Sequence, residues 1–228
     1  MQFDIITIFP NIFDSYLNES ILGRAQKNKL IEVNTHNLRD QTTDNHKTVD
    51  DTPYGGGAGM VMMAEPILKA VDKINPPSPR LRRTSRKSKV IVFSAKGKQF
   101  NQKMAYDWSK NLDQIIMICG RYEGIDERVV EALDAEEISI GPYVLTDGEI
   151  PAMAVISAVS RLVPGVIKLE SLEEESHWNS ITTKEEKEYP HYTRPEIFEY
   201  NGKKYSVPDI LLSGNHAEIK KWRQAKRS

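Results

Sequence analysis

The sequence predicts an α/β protein: a mostly parallel sheet with helices on both faces, followed by a small C-terminal helical domain. Three observations predict it. Segments of strand length recur at residues 3–9, 89–94, 114–119 and 137–140. Stretches with helical spacing lie between them. The runs at 89–94 and 114–119 are almost continuously apolar, as strands covered on both faces are.

The elements follow in order. Residues 3–9 are rich in isoleucine and read as a buried strand, ended by Pro10-Asn11. A helix over about 12–27 places Ile12, Phe13, Tyr16, Leu17, Ile21 and Leu22 at helical spacing. Residues 39–52, rich in Asp, Asn, Thr and His, read as a loop leading into Pro53-Tyr54-Gly55-Gly56-Gly57-Ala58-Gly59-Met60. A helix over 64–74 is broken by Asn75-Pro76-Pro77-Ser78-Pro79, and a mobile basic loop follows. Helices at about 99–110 and 125–133 fit between the next three strands. The last helix of this part spans about 150–163, with Pro151 in its first turn, where a missing N–H costs little. Pro164-Gly165 stops it. The expected division is therefore a main domain over 1–165, a glutamate-rich linker over 166–188 and a small helical domain over 189–228. Residues 208–226 read as one or two short helices with Ile210, Leu211, Leu212, Ile219 and Trp222 as the apolar set. A core that thin needs support from the main domain or from a second chain.

Composition narrows the function. The 228 residues are 39% hydrophobic and 28% charged, a globular balance. No apolar run approaches the ~20 residues of a membrane span. Met1-Gln2-Phe3-Asp4 lacks the flank of a signal peptide, so the cytoplasm is the expected compartment. Cys119 is the single cysteine, which excludes an internal disulfide and a multi-cysteine zinc site. No ligand spacing joins His46, His191 and His216, so no resident metal site is expected. The net charge of −1 argues against a uniformly basic nucleic-acid binder. Charge is uneven, however: residues 80–89 hold six basic side chains and no acid, and residues 170–188 hold seven glutamates. Lys220, Lys221, Arg223, Lys226 and Arg227 crowd the end of the chain. Such patches can hold a phosphate backbone while the average stays near neutral, although each also reads as ordinary solvated surface.

Chemistry concentrates where glycines follow strands. Ser94-Ala95-Lys96-Gly97 ends one strand, Gly120-Arg121-Tyr122-Glu123-Gly124 the next, and Gly141-Pro142-Tyr143-Val144-Leu145 the third. In open parallel sheets ligands bind beyond the carboxyl ends of the strands. Glycine there lets the main chain approach a ligand closely, and Tyr122, Tyr143 and Leu145 supply apolar walls. One such turn is ordinary; three in succession point to a ligand pocket. The glycines at 55–59 are not followed by Lys-Ser or Lys-Thr, and no strand leads into G-x-G-x-x-G. ATP hydrolysis and a dinucleotide cofactor are therefore not expected.

Five blocks carry a resemblance. They are Thr48-Val49-Asp50-Asp51 running into Pro53-Tyr54-Gly55-Gly56-Gly57, the ten residues from Cys119 to Arg128, Ser157-Ala158-Val159-Ser160-Arg161 into Pro164-Gly165, Pro190-His191-Tyr192-Thr193-Arg194-Pro195-Glu196, and residues 211–219. In this order, across nearly the whole chain, they resemble the bacterial tRNA (guanine-N1)-methyltransferases, the TrmD family of the SPOUT superfamily. The resemblance implies a deep trefoil knot in the sheet, which periodicity alone could not suggest. It also implies a homodimer and S-adenosylmethionine bent within the knot. The implied reaction is methylation of N1 of guanosine 37, beside the anticodon, when guanosine also occupies position 36. Cofactor contacts then fall on Ser94 and Gly97, on Gly120, Tyr122 and Glu123, and on Ser139, Ile140, Gly141, Tyr143, Val144 and Leu145. Gly148 and Pro151 complete them.

Guanine N1 carries a proton, so the reaction needs a base, a cation for charge growing on O6, and placement of the methyl group. Arg161 matches the family arginine with the second role; read alone, it is a basic residue at a helix C-terminus. Where the family has an aspartate before serine and an aromatic residue, this chain has Glu173-Glu174-Glu175-Ser176-His177-Trp178. Glu175 is the expected base. Its ordinary pKa of about 4.3 must rise toward neutrality to serve. His177 is the rival, with an ordinary value of about 6.5. Expected RNA contacts are Arg24, Gly55, Gly56, Gly57, Gly59, His216 and Arg223, with tRNA and not DNA as partner. A hydrated Mg2+ needs only a carboxylate or two and is compatible with this chain. Three departures from the family pattern fall near the pocket: Asp147-Gly148 for a Gly-Gly pair, Pro142 for an aspartate, and Ala95-Lys96 for Pro-Gln. The chain also ends soon after Trp222, so some RNA contact of the last helices is expected to be missing. The competing readings are another SPOUT enzyme acting on ribosomal RNA or a ribose, and a non-catalytic RNA-binding module.

Overall fold

The computed structural model describes residues 1–76, 87–173, 176–177 and 188–227. Residues 80–86 of the basic segment, and Glu175, lie outside the described residues. Contacts divide the chain into two compact units, Met1–Ile167 and Lys168–Ser228.

The first unit is α/β, built on a five-stranded sheet in the order β2-β1-β6-β5-β7 with every pairing parallel. β1 is Gln2–Thr7, β2 Glu32–Asn37, β5 Ser88–Gln99, β6 Gln114–Ile118 and β7 Glu136–Ser139. All five residues of β6 are buried, as befits the central strand. A two-stranded antiparallel ladder, β3 (Asp50–Asp51) and β4 (Val61–Met62), brackets the glycine loop. On one sheet face Ile6, Val92, Ile116 and Ile118 pack with Ile67, Ala70 and Val71 of α3 (Ala64–Ile74) and Val129 of α5 (Arg128–Leu133). The alternate positions Phe3, Ile5, Ile91, Ile115 and Met117 are equally buried, so both faces are covered. α4 (Gln102–Asn111) packs against α6 (Glu149–Ser160), and α6 reaches β1.

Four local expectations need correction. The single helix over 12–27 is three pieces: a 3-10 turn at Pro10–Phe13, α1 at Asp14–Leu17 and α2 at Ser20–Lys27. Asn18 and Ser20, which favour caps and turns over helix interiors, flank the break, and Ser20 sits at φ 49°. β2 was not expected. Its sequence, Glu-Val-Asn-Thr-His-Asn, has no apolar face because it is an edge strand, held by main-chain pairing with β1. β5 does not end at Ser94. It bulges out of register with β7 between Phe93 and Lys98 and rejoins it, so α4 starts at Gln102, with the Asn101 side chain accepting from the Met104 N–H. The second unit is not helical throughout. It holds α7 (Leu169–Glu173), a hairpin of β8 (Ile197–Tyr200) and β9 (Lys203–Ser206), then α8 (Asp209–Leu212) and α9 (His216–Lys226). The hairpin turns on Asn201-Gly202, both at positive φ, the dipeptide that two-residue turns favour. Phe198 stacks on Tyr205 at 5.3 Å across it.

Candidate active site

The strand order places three strand ends side by side. β6, β5 and β7 are neighbours, and β6 lies between β5 and β1, where the direction of chain progression reverses. Such a switch point leaves a crevice beyond the carboxyl ends of the strands. A cleft of about 480 Å³ lies on the β5 side of that point, beyond the ends of β5, β6 and β7. Ser94 lines it from the β5 bulge; Gly120, Tyr122 and Glu123 line it from the loop after β6. Ser139, Ile140, Tyr143, Val144 and Leu145 form its β7 side, and Gly148 and Pro151 its end at α6. The expected residues Gly97 and Gly141 are not part of this lining. A Cβ on Gly97 would lie 2.5 Å from the Glu137 carbonyl carbon, so its glycine lets the bulge press on β7. Gly141 holds the turn: the Ser139 hydroxyl donates to its carbonyl at 2.8 Å.

The loop after β7 is pinned to the end of β6. The Gly148 N–H donates to the Gly120 carbonyl at 3.0 Å, and a Cβ on Gly148 would sit 2.6 Å from the Cys119 Cα. Beneath this contact lies a charged network that no local pattern announces. Glu149 is fully buried. Thr7 donates to one of its oxygens at 2.6 Å and Arg121 Nε to the other at 3.1 Å. Arg121 also lies 3.7 Å from Asp147 and stacks on Phe9, 4.7 Å from the ring centroid. Asp147 accepts from the N–H groups of Glu149 and Ile150, capping α6. Burial raises the Glu149 carboxyl above its ordinary value despite Thr7 and Arg121. Burial also pushes Asp147 up, but the Ile150 N–H, the Thr146 hydroxyl and Arg121 together leave it below the ordinary value. Burial, with Glu149 and Asp147 nearby, drives the Cys119 thiol well up, so it stays protonated and serves packing.

The departures from the family pattern have structural partners. Asp147 is the cap just described. Lys96 lies at the rim, 2.9 Å from Glu127 and 3.4 Å from Glu137. Pro142 is exposed. The glycine loop abuts the same wall. A Cβ on Gly59 would collide with the Glu123 side chain, and the Glu123 N–H donates to the Met60 carbonyl at 3.0 Å. Gly55, Gly56 and Gly57 all have positive φ, and a Cβ on Gly55 or Gly56 would meet nothing.

The remaining expected residues are elsewhere. Arg161 follows α6 and lines a second cleft with Tyr16, Glu19, Ile21 and Ser157. It is not part of the first cleft's lining. Arg24 lines a shallow surface pocket with Asn18 and Lys27. His177 is exposed at φ 66°, and Glu175 lies outside the described residues. His216 and Arg223 line a pocket within the second unit. Among the described residues no group of three or more His, Cys, Asp or Glu side chains could hold a metal ion, and no helix is long and apolar enough to cross a membrane.

Known proteins resemble this chain over nearly its whole length. A family model described as tRNA (Guanine-1)-methyltransferase TrmD matches residues 1–228. The chain is 52% identical to a tRNA (guanine-N(1)-)-methyltransferase of Ruminiclostridium cellulolyticum, covering 98% of this chain and 89% of that one. It is 53% identical to the protein of the same name from Thermomicrobium roseum, over 98% and 78% of the two chains. The Chloroflexus aggregans protein is 50% identical, over 100% and 83%.

Proposed function

We propose, from the premise that this chain belongs to the tRNA (guanine-1)-methyltransferase TrmD family, that it transfers a methyl group from S-adenosylmethionine to N1 of guanosine 37 in tRNA. The observation that carries the reading is the cleft at the ends of β5, β6 and β7. Its volume of about 480 Å³ suits a cofactor of this size. Its wall alternates open main chain at Gly120 with the half-exposed Tyr122, Tyr143 and Leu145, which fits a ligand that is part purine and ribose, part aliphatic. The close passage of Gly148 over Cys119 and Gly120 is the kind of contact a deep trefoil knot requires. When bound, S-adenosylmethionine supplies an electrophilic methyl group.

The chain's own residues do the rest. Ser94, Gly120, Tyr122, Glu123 and the turn from Ser139 to Leu145 hold the cofactor, with Gly97 and Gly141 shaping the main chain around it. Glu175 takes the proton from guanine N1, which turns a poor nucleophile into a good one. Arg161 stabilises the charge that grows on O6. Arg161 lines a cleft with Tyr16 and Ile21, which are exposed apolar side chains beside Ile12 on the same stretch of chain. Covering that face with a second copy makes the enzyme a homodimer and the active site a shared one. Arg24, the glycines at 55–57 and 59, His216 and Arg223 contact the RNA, and the target base leaves its stack to reach the cleft. In this reading residues 1–165 carry the chemistry, 166–188 link, and 189–228 hold tRNA in the cytoplasm. DNA, which lacks this anticodon loop, is not a substrate. A hydrated Mg2+ held by a carboxylate or two is part of the reaction only if EDTA lowers turnover.

The test is a single-turnover assay beside calorimetry. Glu175→Gln is expected to slow methyl transfer at least ~100-fold while binding S-adenosylmethionine as the parent does. Full activity in that variant contradicts the assignment of the base, and absence of cofactor binding in the parent contradicts the whole reading.

A further inference from the structure

The cleft that Arg161 lines also holds a carboxylate with no part in the proposed chemistry. Its volume is about 400 Å³, room for a nucleobase, and Tyr16, Glu19, Ile21 and Leu22 line it with Arg161. Glu19 stands at the break between α1 and α2, at the N-cap position of α2, yet its side chain makes no cap hydrogen bond. Ser, Thr, Asp and Asn are the residues that cap well, and glutamate is not among them. The local structure therefore has no use for a carboxylate here. The backbone nonetheless fixes its place. The Gly23 N–H donates to the Glu19 carbonyl at 3.0 Å, and a Cβ on Gly23 would collide with the Asn18 carbonyl oxygen. Only glycine lets α2 fold this closely over the break. Ser20, which also lines the cleft, sits at φ 49° without being glycine. That left-handed conformation is unfavourable for a residue with a Cβ, and such strain is characteristically kept where a site needs it. Tyr16, on the other side of the break, is exposed and offers a ring face for stacking.

These side chains complement one base. Along a single edge guanine presents an acceptor at O6, a donor at N1 and a donor at its 2-amino group. A guanidinium suits the first and a carboxylate the last. Adenine would meet the guanidinium with a donor and leave the carboxylate with none, so the same pair also rejects the wrong purine. We infer that Glu19 is a specificity-determining residue, which accepts a hydrogen bond from the 2-amino group of the target guanosine while Arg161 faces O6 and Tyr16 stacks on the ring. The inference rests on the proposed function for the role of Arg161. Because Glu19 and Arg161 line one cleft, any pairing of copies that carries Arg161 to the target base carries Glu19 with it. Glu19 takes no proton; the N1 proton goes to Glu175. Its effect is on which base is accepted, because a site built around a polar group of its substrate rejects an analogue that lacks the group.

The experiment uses the full chain, saturating S-adenosylmethionine and two ligated tRNAs that differ only in carrying guanosine or inosine at position 37. Inosine keeps O6 and the N1 proton and lacks only the 2-amino group. The parent is expected to methylate guanosine with a kcat/KM about 10–100-fold above that for inosine, the worth of one hydrogen bond to a charged group. Glu19→Ala should lose that factor on guanosine and keep the parental rate on inosine, so that the preference disappears. Glu19→Gln, whose amide oxygen still accepts, should recover part of the preference. Glu65→Ala, on the exposed side of α3, should match the parent on both bases. Every variant should sediment as the parent does. Equal kcat/KM for the two bases in the parent overturns the inference and leaves the proposed function standing. A Glu19→Ala variant that keeps the parental preference overturns it too. So does one that slows both bases equally or changes its sedimentation, the mark of a structural or interface role. Should Glu19→Ala fail to fold, Glu19→Gln decides by whether its preference is smaller than the parent's. A parent that methylates neither tRNA refutes the proposed function, and this inference with it.

Discussion

Arg121 is the side chain on which the cleft's floor turns. It joins the end of β6 to the start of α6 through Glu149, and it covers Phe9. Removing one partner of a buried pair leaves the other charge uncompensated, so Arg121→Ala is expected to cost about 3 kcal/mol in urea unfolding and to weaken S-adenosylmethionine binding. An unchanged midpoint would show the network to be passive. Glu149 and a second buried carboxylate, Asp4, respond to pH with opposite sign. Burial pushes Asp4 up, but hydrogen bonds from His36, Gln114 and Asn34, with the attraction of His36, leave it below its ordinary value. Its stabilisation is complete above the unfolded pKa of about 3.9 and is lost as pH falls through the lower folded value. Glu149, raised by burial, favours its protonated form in the fold; its contribution therefore declines as pH rises from about 4.3 through the folded value. Asp4→Asn should flatten the acid limb of stability against pH, and an acid limb identical to the parent's contradicts this. These contacts were illegible in sequence for a plain reason. Thr7 and Glu149 are 142 residues apart, and no periodicity links them.

At the scale of elements, what was legible is what is buried on both faces. β1, β5 and β6 announce themselves through apolar side chains at residues 3–9, 90–93 and 115–119, whereas β7, Glu-Glu-Ile-Ser, has only Ile138 of that kind. β2 and the β8–β9 hairpin do not announce themselves, because one is a polar edge and the other is exposed along its length. The Asn201-Gly202 dipeptide is the readable signal of the hairpin. The glycine turns were legible as a pocket; which glycines line the cleft and which press on the sheet was not, since that depends on the β5 bulge. Gly148→Ala separates the two kinds of glycine experimentally. Its new Cβ meets backbone at 2.6 Å on a strand end that cannot move, so cofactor binding should be lost in calorimetry. Gly56→Ala meets no atom, and its positive φ costs only about 1–2 kcal/mol locally, so cofactor binding should survive. Equal cofactor affinity in the two variants would remove the loop from the site.

At the scale of the molecule, one unit holds the cleft beyond β5, β6 and β7, the other holds the pocket lined by His216 and Arg223, and Arg161 lines a cleft apart from the first. The proposed pairing of two copies through the Tyr16–Ile21 face would bring Arg161 of one copy to the cleft of the other. Sedimentation should find a dimer, and a fully active monomer would contradict it. The central claim, methylation of guanosine 37 at N1, has a direct test. Labelled S-adenosylmethionine is incubated with four tRNA transcripts that differ only at positions 36 and 37, and the product nucleoside is identified by mass spectrometry. Label is expected as N1-methylguanosine solely in the transcript with guanosine at both positions; label elsewhere, or in none of the four, contradicts the account.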